Sequence, residues 1–179
     1  MTSLRRFKAT DLFRFNDVNL DHLTETYGVN FYLQYLSRWP DIFYAAESPE
    51  GRLMGYVMGK TEGRGKDWHG HVTAITVAPS CRRIGLADQM MHLLEQVSEK
   101  VYNGYFVDLF VRISNTVAID MYTKFGYTVY RRVLGYYGGS GAPEADEDAF
   151  DMRKSLARDK DKKSMIPLGR DVRPDEVYF

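Results

Sequence analysis

The chain has 179 residues, 44% hydrophobic and 14% aromatic, which suits one ordinary domain with a real core and excludes wholesale disorder. Lys plus Arg and Asp plus Glu number 24 each, so no net field draws the whole molecule to nucleic acid or anionic lipid. Cys81 is the single cysteine, which excludes an intramolecular disulfide and a cysteine-based zinc cluster. With no apolar signal core and no run of roughly 20 apolar residues, the expected location is the cytoplasm, without membrane contact, direct nucleic-acid contact or metal.

Ser3 to Lys8 reads as a short strand, and Thr10 then offers an N-cap to a helical turn through Leu12, Phe13 and Phe15. Asn30 to Trp39 reads as a helix stopped by Pro40. Ile42 to Glu47 and Leu53 to Lys60 read as antiparallel strands joined by the turn residues Pro49-Glu50-Gly51. Gly63 to Asp67 is a polar loop, and His69 to Ala78 is a long strand rich in β-branched residues, closed by Pro79.

From Gly85 the apolar period changes from two to about 3.6. Leu86, Met90, Leu93, Leu94 and Val97 then mark one face of a helix to about Lys100, a face that has to pack on a sheet. Tyr105 to Val111 is apolar except for Asp108, as expected of a central strand. Ser114 is placed to cap a helix through Phe125, Gly126 ends it in the left-handed conformation, and Tyr127 to Tyr137 returns as a strand. Gly138 to Gly141 reads as flexible, Glu144 to Asp148 as acidic, and Phe150 to Leu156 as a short edge strand. The alternation predicts an α/β sheet, with residues 1–156 as the domain and 157–179 as a charged tail that orders only where it docks.

The most informative segment is Val77-Ala78-Pro79-Ser80-Cys81-Arg82-Arg83-Ile84-Gly85-Leu86-Ala87, where a strand containing Ile75 and Val77 feeds a turn that opens a helix. Backbone N–H groups at a helix start are unpaired and carry the positive end of the dipole, so they can receive phosphate oxygens. Gly85 and Ala87 are small enough for a pyrophosphate to approach, and Arg82 and Arg83 add charge. The same features also suit an ordinary strand-to-helix turn with solvated arginines. Further on, Asn115, Ala118 and Tyr122 lie at i, i+3 and i+7 and share a helix face, where Tyr122 is either a functional phenol or a core aromatic.

Arg-x-x-Gly-x-Ala after a Val-Ala-Pro strand end resembles the acetyl-CoA signature of the GNAT acyltransferases, and Asn115 through Tyr122 to Phe125-Gly126-Tyr127 fits the same superfamily. The resemblance implies a GNAT fold, a mixed and mostly antiparallel central sheet flanked by helices, with acetyl-CoA in the opening between the fourth and fifth strands. It places Ile75, Val77, Arg82, Arg83, Gly85, Leu86 and Ala87 along the cofactor, Asn115 on its pantetheine arm, and Tyr122 as proton donor to the departing thiolate. Cys81 sits at the phosphate turn, too far from the reacting end for a covalent intermediate. Many relatives carry a glutamate on the fourth strand, where this chain reads Val72-Thr73-Ala74-Ile75-Thr76. His71 and Thr73 point to one face there, and His71 is the candidate proton relay, with a structural histidine as the alternative.

Asp11-Leu12-Phe13-Arg14-Phe15-Asn16, Leu23 to Gly28, Phe31 to Leu36, Trp68 to Ala74 and Asp146 to Lys154 are similar to the catalytic subunits of NatB complexes. This resemblance covers nearly the whole chain. It implies acetylation of nascent chains that keep the initiator methionine followed by Asp, Glu, Asn or Gln. It also implies a peptide site at Glu25, Tyr27, Gly28, His71, Thr73, Tyr136, Tyr137 and Gly138, and a large auxiliary subunit of helical repeats that brings the enzyme to the ribosome. Ten of the 25 aromatic residues fall within residues 1–45, more than two short helices are expected to hide, so part of that surface is expected to face another protein. Two other readings stand beside it: a GNAT acting on lysine side chains or a small amine, and a CoA-binding module without catalysis.

Overall fold

The computed structural model describes residues 2–20, 24–138 and 147–177. Most of the segments read as flexible and acidic, at 139–146, lie outside the described residues, as does Leu23. Seven strands form one sheet in the order β1-β2-β3-β4-β5-β7-β6. These are β1 (Ser3–Arg6), β2 (Phe43–Glu47), β3 (Leu53–Glu62), β4 (His69–Val77), β5 (Phe106–Arg112), β6 (Thr128–Val133) and β7 (Ala149–Ser155). The helices are α1 (Asn16–Asn19), α2 (Val29–Arg38), α3 (Leu86–Lys100) and α4 (Thr116–Lys124). The backbone groups into two compact units, Met1–Thr61 with Val72–Tyr102, and Glu62–His71 with Asn103–Phe179.

In the first unit, β1 pairs antiparallel with β2, and β2 with β3. Thr10 is not the cap of the first helical turn. Asp11 accepts from the Lys8 N–H at 2.8 Å and receives a bidentate pair from Arg5 at 2.7 and 2.9 Å, so a short 3-10 turn, Ala9–Phe13, forms around a buried carboxylate. A charged fork of this kind holds geometry better than a lone hydroxyl. Phe7 stacks on Phe43 at 4.2 Å, Phe15 meets Tyr32 edge-on, and the buried Tyr56 hydroxyl donates to Asn19 at 2.7 Å. Much of the N-terminal aromatic surface is therefore internal, while Phe13 and Leu20 stay 88% and 80% exposed. On α3, Leu86, Met90, Met91, Leu94 and Val97 are buried. Each such side chain contributes roughly 1.5–3 kcal/mol, so this face anchors the helix.

In the second unit, β7 is not an edge strand. It lies between β5 and β6 and pairs antiparallel with both, which leaves β6 at the edge. β6 ends at Val133 and does not continue to Tyr137; a turn follows, with Gly135 at φ 61°. The segment after Ser155 returns along β6, where Leu134 N–H donates to Val172 O at 2.9 Å and Val172 N–H to Arg132 O at 3.0 Å. Val172 and Val177 are buried against Val133 and Ala149.

Candidate active site

In the first unit, β4 leads through a short 3-10 turn, Pro79–Cys81, to an exposed run from Arg82 to Gly85 and then the buried Leu86. Gly85 is the N-cap of α3 at φ 83°, a conformation that glycine adopts at no steric cost. Its carbonyl accepts the first helical bond, from the Gln89 N–H, so the N–H groups of the first turn have no partner within the helix. The Arg82 Nε donates to the Val77 carbonyl at 3.1 Å, which ties the guanidinium over the turn. Ile75 and Val77 are half-buried on the strand that enters it, Ala87 is half-buried, Arg83 is exposed and Cys81 is buried.

The same unit gathers part of the expected peptide site. The Thr73 hydroxyl donates to the Tyr35 hydroxyl at 2.9 Å, Tyr35 packs on Phe31 at 4.9 Å, and Phe31 stacks on Tyr27 at 4.4 Å. Gly28 is the extended N-cap of α2, and Glu25 is exposed.

In the second unit, Asn115 and not Ser114 is the N-cap of α4. Its Oδ1 accepts from the Ala118 N–H at 3.1 Å, because a side-chain oxygen one position nearer the helix closes the capping ring. The Nδ2 group is thus the part of Asn115 left to donate to a ligand. Tyr122 is buried and meets Tyr127 edge-on at 6.0 Å, and among the described residues its hydroxyl makes no hydrogen bond. Burial pushes its ionisation well above that of an ordinary phenol, so the group keeps its proton through neutral pH.

His71 lies beside a buried charge cluster in this unit. Its Nδ1 is 2.8 Å from Asp108 Oδ1, and the other carboxylate oxygen lies 3.4 Å from His69 Nε2. Glu62 Oε1 is 3.7 Å from His69 and 3.9 Å from His71. The His69 Nδ1 faces the Asp67 carbonyl at 2.5 Å, and its ring stacks on Phe106. Phe110 stacks on Tyr136 at 4.6 Å and meets His71 at 5.7 Å, and the Tyr137 hydroxyl donates to the Phe110 carbonyl at 3.2 Å. A polar cavity of about 110 Å³ opens beside Glu62, Asp67, His69, Asp108, Phe110, Tyr130, Arg131, Arg153 and Val177. Among the described residues no group of three His, Cys, Asp or Glu is arranged to hold a metal ion.

Burial opposes the imidazolium of His69, yet the Asp108 charge and the hydrogen bonds to Asp108, Glu62 and Asp67 outweigh it and push the pKa up to about 10. Burial would raise Asp108, but the charge of His69 and the hydrogen bonds from His69 and His71 hold it well below the ordinary carboxylate range. The unfolded value for His69 is about 6.5, so between about pH 6.5 and 10 the native state keeps a proton that the unfolded chain releases. That contribution is whole below pH 6.5 and disappears as the pH rises through 10. The urea midpoint is therefore expected to fall across this interval, with a shallower fall in His69→Gln; equal slopes would refute the assignment.

The acetyltransferase (GNAT) family model matches residues 8–127. N-alpha-acetyltransferase 20 of Dictyostelium discoideum is 63% identical over 99% of both chains. The N-terminal acetyltransferase B complex catalytic subunit of Arabidopsis thaliana is 59% identical over 100% of this chain and 99% of its own. The crystal structure of Chaetomium thermophilum Naa20 with a bisubstrate analogue superposes with a TM-score of 0.90 at 41% identity, covering 99% of this chain and all of that one. The chain belongs to the NatB catalytic subunits of the GNAT acetyltransferases.

In this NatB-type acetyltransferase, the fold brings His71, Tyr136 and Tyr137 around Phe110 in one unit, and Tyr27 and Thr73 around Phe31 and Tyr35 in the other. Gly138 follows the tyrosine pair and is exposed. Sequence reasoning left out Phe31, Tyr35, Glu62, Phe110 and above all Asp108. A lone carboxylate in an otherwise apolar strand was the available signal for Asp108. Its partners lie 37 and 39 positions away in the sequence, and only pairing in the fold brings them together.

Proposed function

We propose that this acetyltransferase transfers acetyl from acetyl-CoA to the α-amino group of polypeptides that keep the initiator methionine followed by Asp, Glu, Asn or Gln, by direct attack in a ternary complex. The observation that carries this reading is the exposed Arg82–Gly85 turn at the start of α3, whose first N–H groups are free of helical partners and flanked by two guanidinium groups. Those donors, with Ala87, take the cofactor's diphosphate, and Asn115 Nδ2 takes an oxygen of the arm. The substrate's ammonium loses a proton to His71, and the amine nitrogen attacks the thioester carbonyl carbon. The tetrahedral adduct collapses with cleavage of the carbon–sulfur bond and the thiolate takes the Tyr122 proton, while the nitrogen releases its remaining extra proton to solvent, from which the phenol is restored. Because an α-ammonium has a pKa of about 7.7–8.0, its deprotonation needs only modest assistance.

Tyr27 in one unit and Tyr136 and Tyr137 in the other are proposed as peptide-contacting residues, since a flexible thioether packs well on aromatic rings. The paired hydroxyls of Thr73 and Tyr35 are assigned to the next side chain's carbonyl oxygen. Recognition through that oxygen accepts carboxylates and amides alike. Glu25 and Gly28 flank Tyr27, where Glu25 serves to attract the ammonium.

The apolar surface of Phe13, Leu20, Val29 and Leu33 supports docking of a large helical-repeat auxiliary subunit, which would carry the enzyme to the ribosome in the cytoplasm. No helix among the described residues is long and apolar enough to cross a membrane. The test incubates the protein, with and without the auxiliary subunit, with acetyl-CoA and two peptides: one beginning Met-Asp, and one with a blocked N-terminus and an internal lysine. A mass gain of one acetyl group on the first alone is expected. Acetylation of the second alone, or of neither, would overturn the proposal.

A further inference from the structure

We propose that Asp108 is a positioning residue for the transfer: it holds His71 with the proton on Nδ1 and the lone pair on Nε2, while His69 supplies the charge that compensates the carboxylate. This rests on the reading above, in which His71 accepts the proton of the substrate ammonium.

Geometry assigns the protons. A carbonyl and a carboxylate only accept hydrogen bonds. His69 faces the Asp67 carbonyl from Nδ1 and the Asp108 and Glu62 carboxylates from Nε2, so both of its nitrogens carry hydrogen and the ring is an imidazolium. His71 turns Nδ1 to Asp108 Oδ1 at 2.8 Å, so that nitrogen carries the hydrogen and the lone pair of the neutral ring is on Nε2. Asp108 is 3% exposed, and a carboxylate buried to that extent requires a partner for its charge. His69 provides it, so the His71 Nδ1–H is held by a carboxylate whose charge is already compensated. During transfer the proton passes from the ammonium to His71 Nε2, the Nδ1 proton stays on His71 in its hydrogen bond to Asp108, and the imidazolium later returns its extra proton to solvent.

The remaining charged groups around this pair are identifiable. Glu62 approaches both histidines from the end of β3, and Tyr136 approaches from the turn after β6 across Phe110. Asp151 on β7 acts on Asp108 and is itself bound by Arg131 at 2.8 Å and Arg153 at 3.3 Å. Asp151 thus brings its own cations, and the Asp108 charge falls to His69.

The experiment compares pH profiles of kcat for a Met-Asp peptide in the wild-type chain, Asp108→Asn and His69→Gln, each assembled with the auxiliary subunit if the wild type requires it. Asp108→Asn removes the negative charge beside His71. It is expected to lower kcat by about 10- to 100-fold, leave the KM for acetyl-CoA in place, and move the acidic limb down by about one pH unit. His69→Gln leaves the Asp108 charge uncompensated, so its acidic limb is expected to move the opposite way, to higher pH. Structural damage lowers active fraction without shifting limbs in opposite directions. Unshifted limbs in both variants overturn the inference, as does a shift of both in one direction. If Asp108→Asn does not fold, His69→Gln alone decides: a limb at higher pH supports the inference, and an unmoved or lower one overturns it. A wild-type protein that leaves the Met-Asp peptide unmodified would instead sink the functional reading itself.

Discussion

Replacing Tyr122 with Phe is expected to lower kcat for a Met-Asp peptide by about 10²- to 10⁴-fold, the range of a positioned acid or base, with acetyl-CoA affinity unchanged. The ring is buried and packed against Tyr127, and phenylalanine keeps that packing. Its hydroxyl has no hydrogen bond among the described residues, so removing it orphans no internal partner. Burial also holds the phenol protonated, as suits a donor to a thiolate and not a base for an ammonium. Steady-state kinetics with a thermal melt separates the outcomes: an unchanged melting temperature and a collapsed kcat support the role. Full turnover in Tyr122→Phe would reject it, and a lowered melting temperature with kcat per folded molecule intact would make Tyr122 a core aromatic only.

Gly63→Ala is expected to cost about 3 kcal/mol or more in stability, the sum expected from a strained backbone and an overpacked contact. Gly63 has φ 90°, and a Cβ there would stand 1.9 Å from the Asp67 carbonyl oxygen and 3.2 Å from His69 Nδ1. The loop must open, and the carbonyl that faces His69 at 2.5 Å must move with it. Gly65, two residues on, provides the control. It also has a positive φ, 58°, but a Cβ there meets nothing within 4 Å, so Gly65→Ala is expected to cost only about 1–2 kcal/mol for the left-handed conformation. Urea unfolding with an unchanged m-value reads both. Equal losses would show that conformation, and not crowding, demands the glycine at 63.

The elements that local chemistry governs were legible in the chain. The 3.6-residue period from Leu86 to Val97 marks α3, and the burial of Leu86, Met90, Leu94 and Val97 follows it. Pro49-Glu50-Gly51 marks the β2–β3 turn, with Gly51 at φ 81°. Thr10 and Ser114 failed as caps for one shared reason. Several polar side chains near a helix start can set where it begins, and the choice falls to whichever is best anchored, here Asp11, which binds the Lys8 N–H and Arg5, and Asn115, which binds the Ala118 N–H. β7 was legible as a strand but not as an inner one, because its alternation reports which face is buried and not which neighbours pair with it.

The same division runs through the site. The amino-acid order by itself determined the strand-to-helix turn at Arg82–Ala87, the helix that carries Asn115 and Tyr122, and the family to which they point, since each depends on spacing within one or two turns of chain. Tertiary structure alone decided that Asp108 lies on His71 and beside His69, and that Tyr35 receives the Thr73 hydroxyl. Those contacts join residues 37 to 39 positions apart. Proton position and charge in a buried cluster follow from distances of a few ångströms, which local periodicity does not encode.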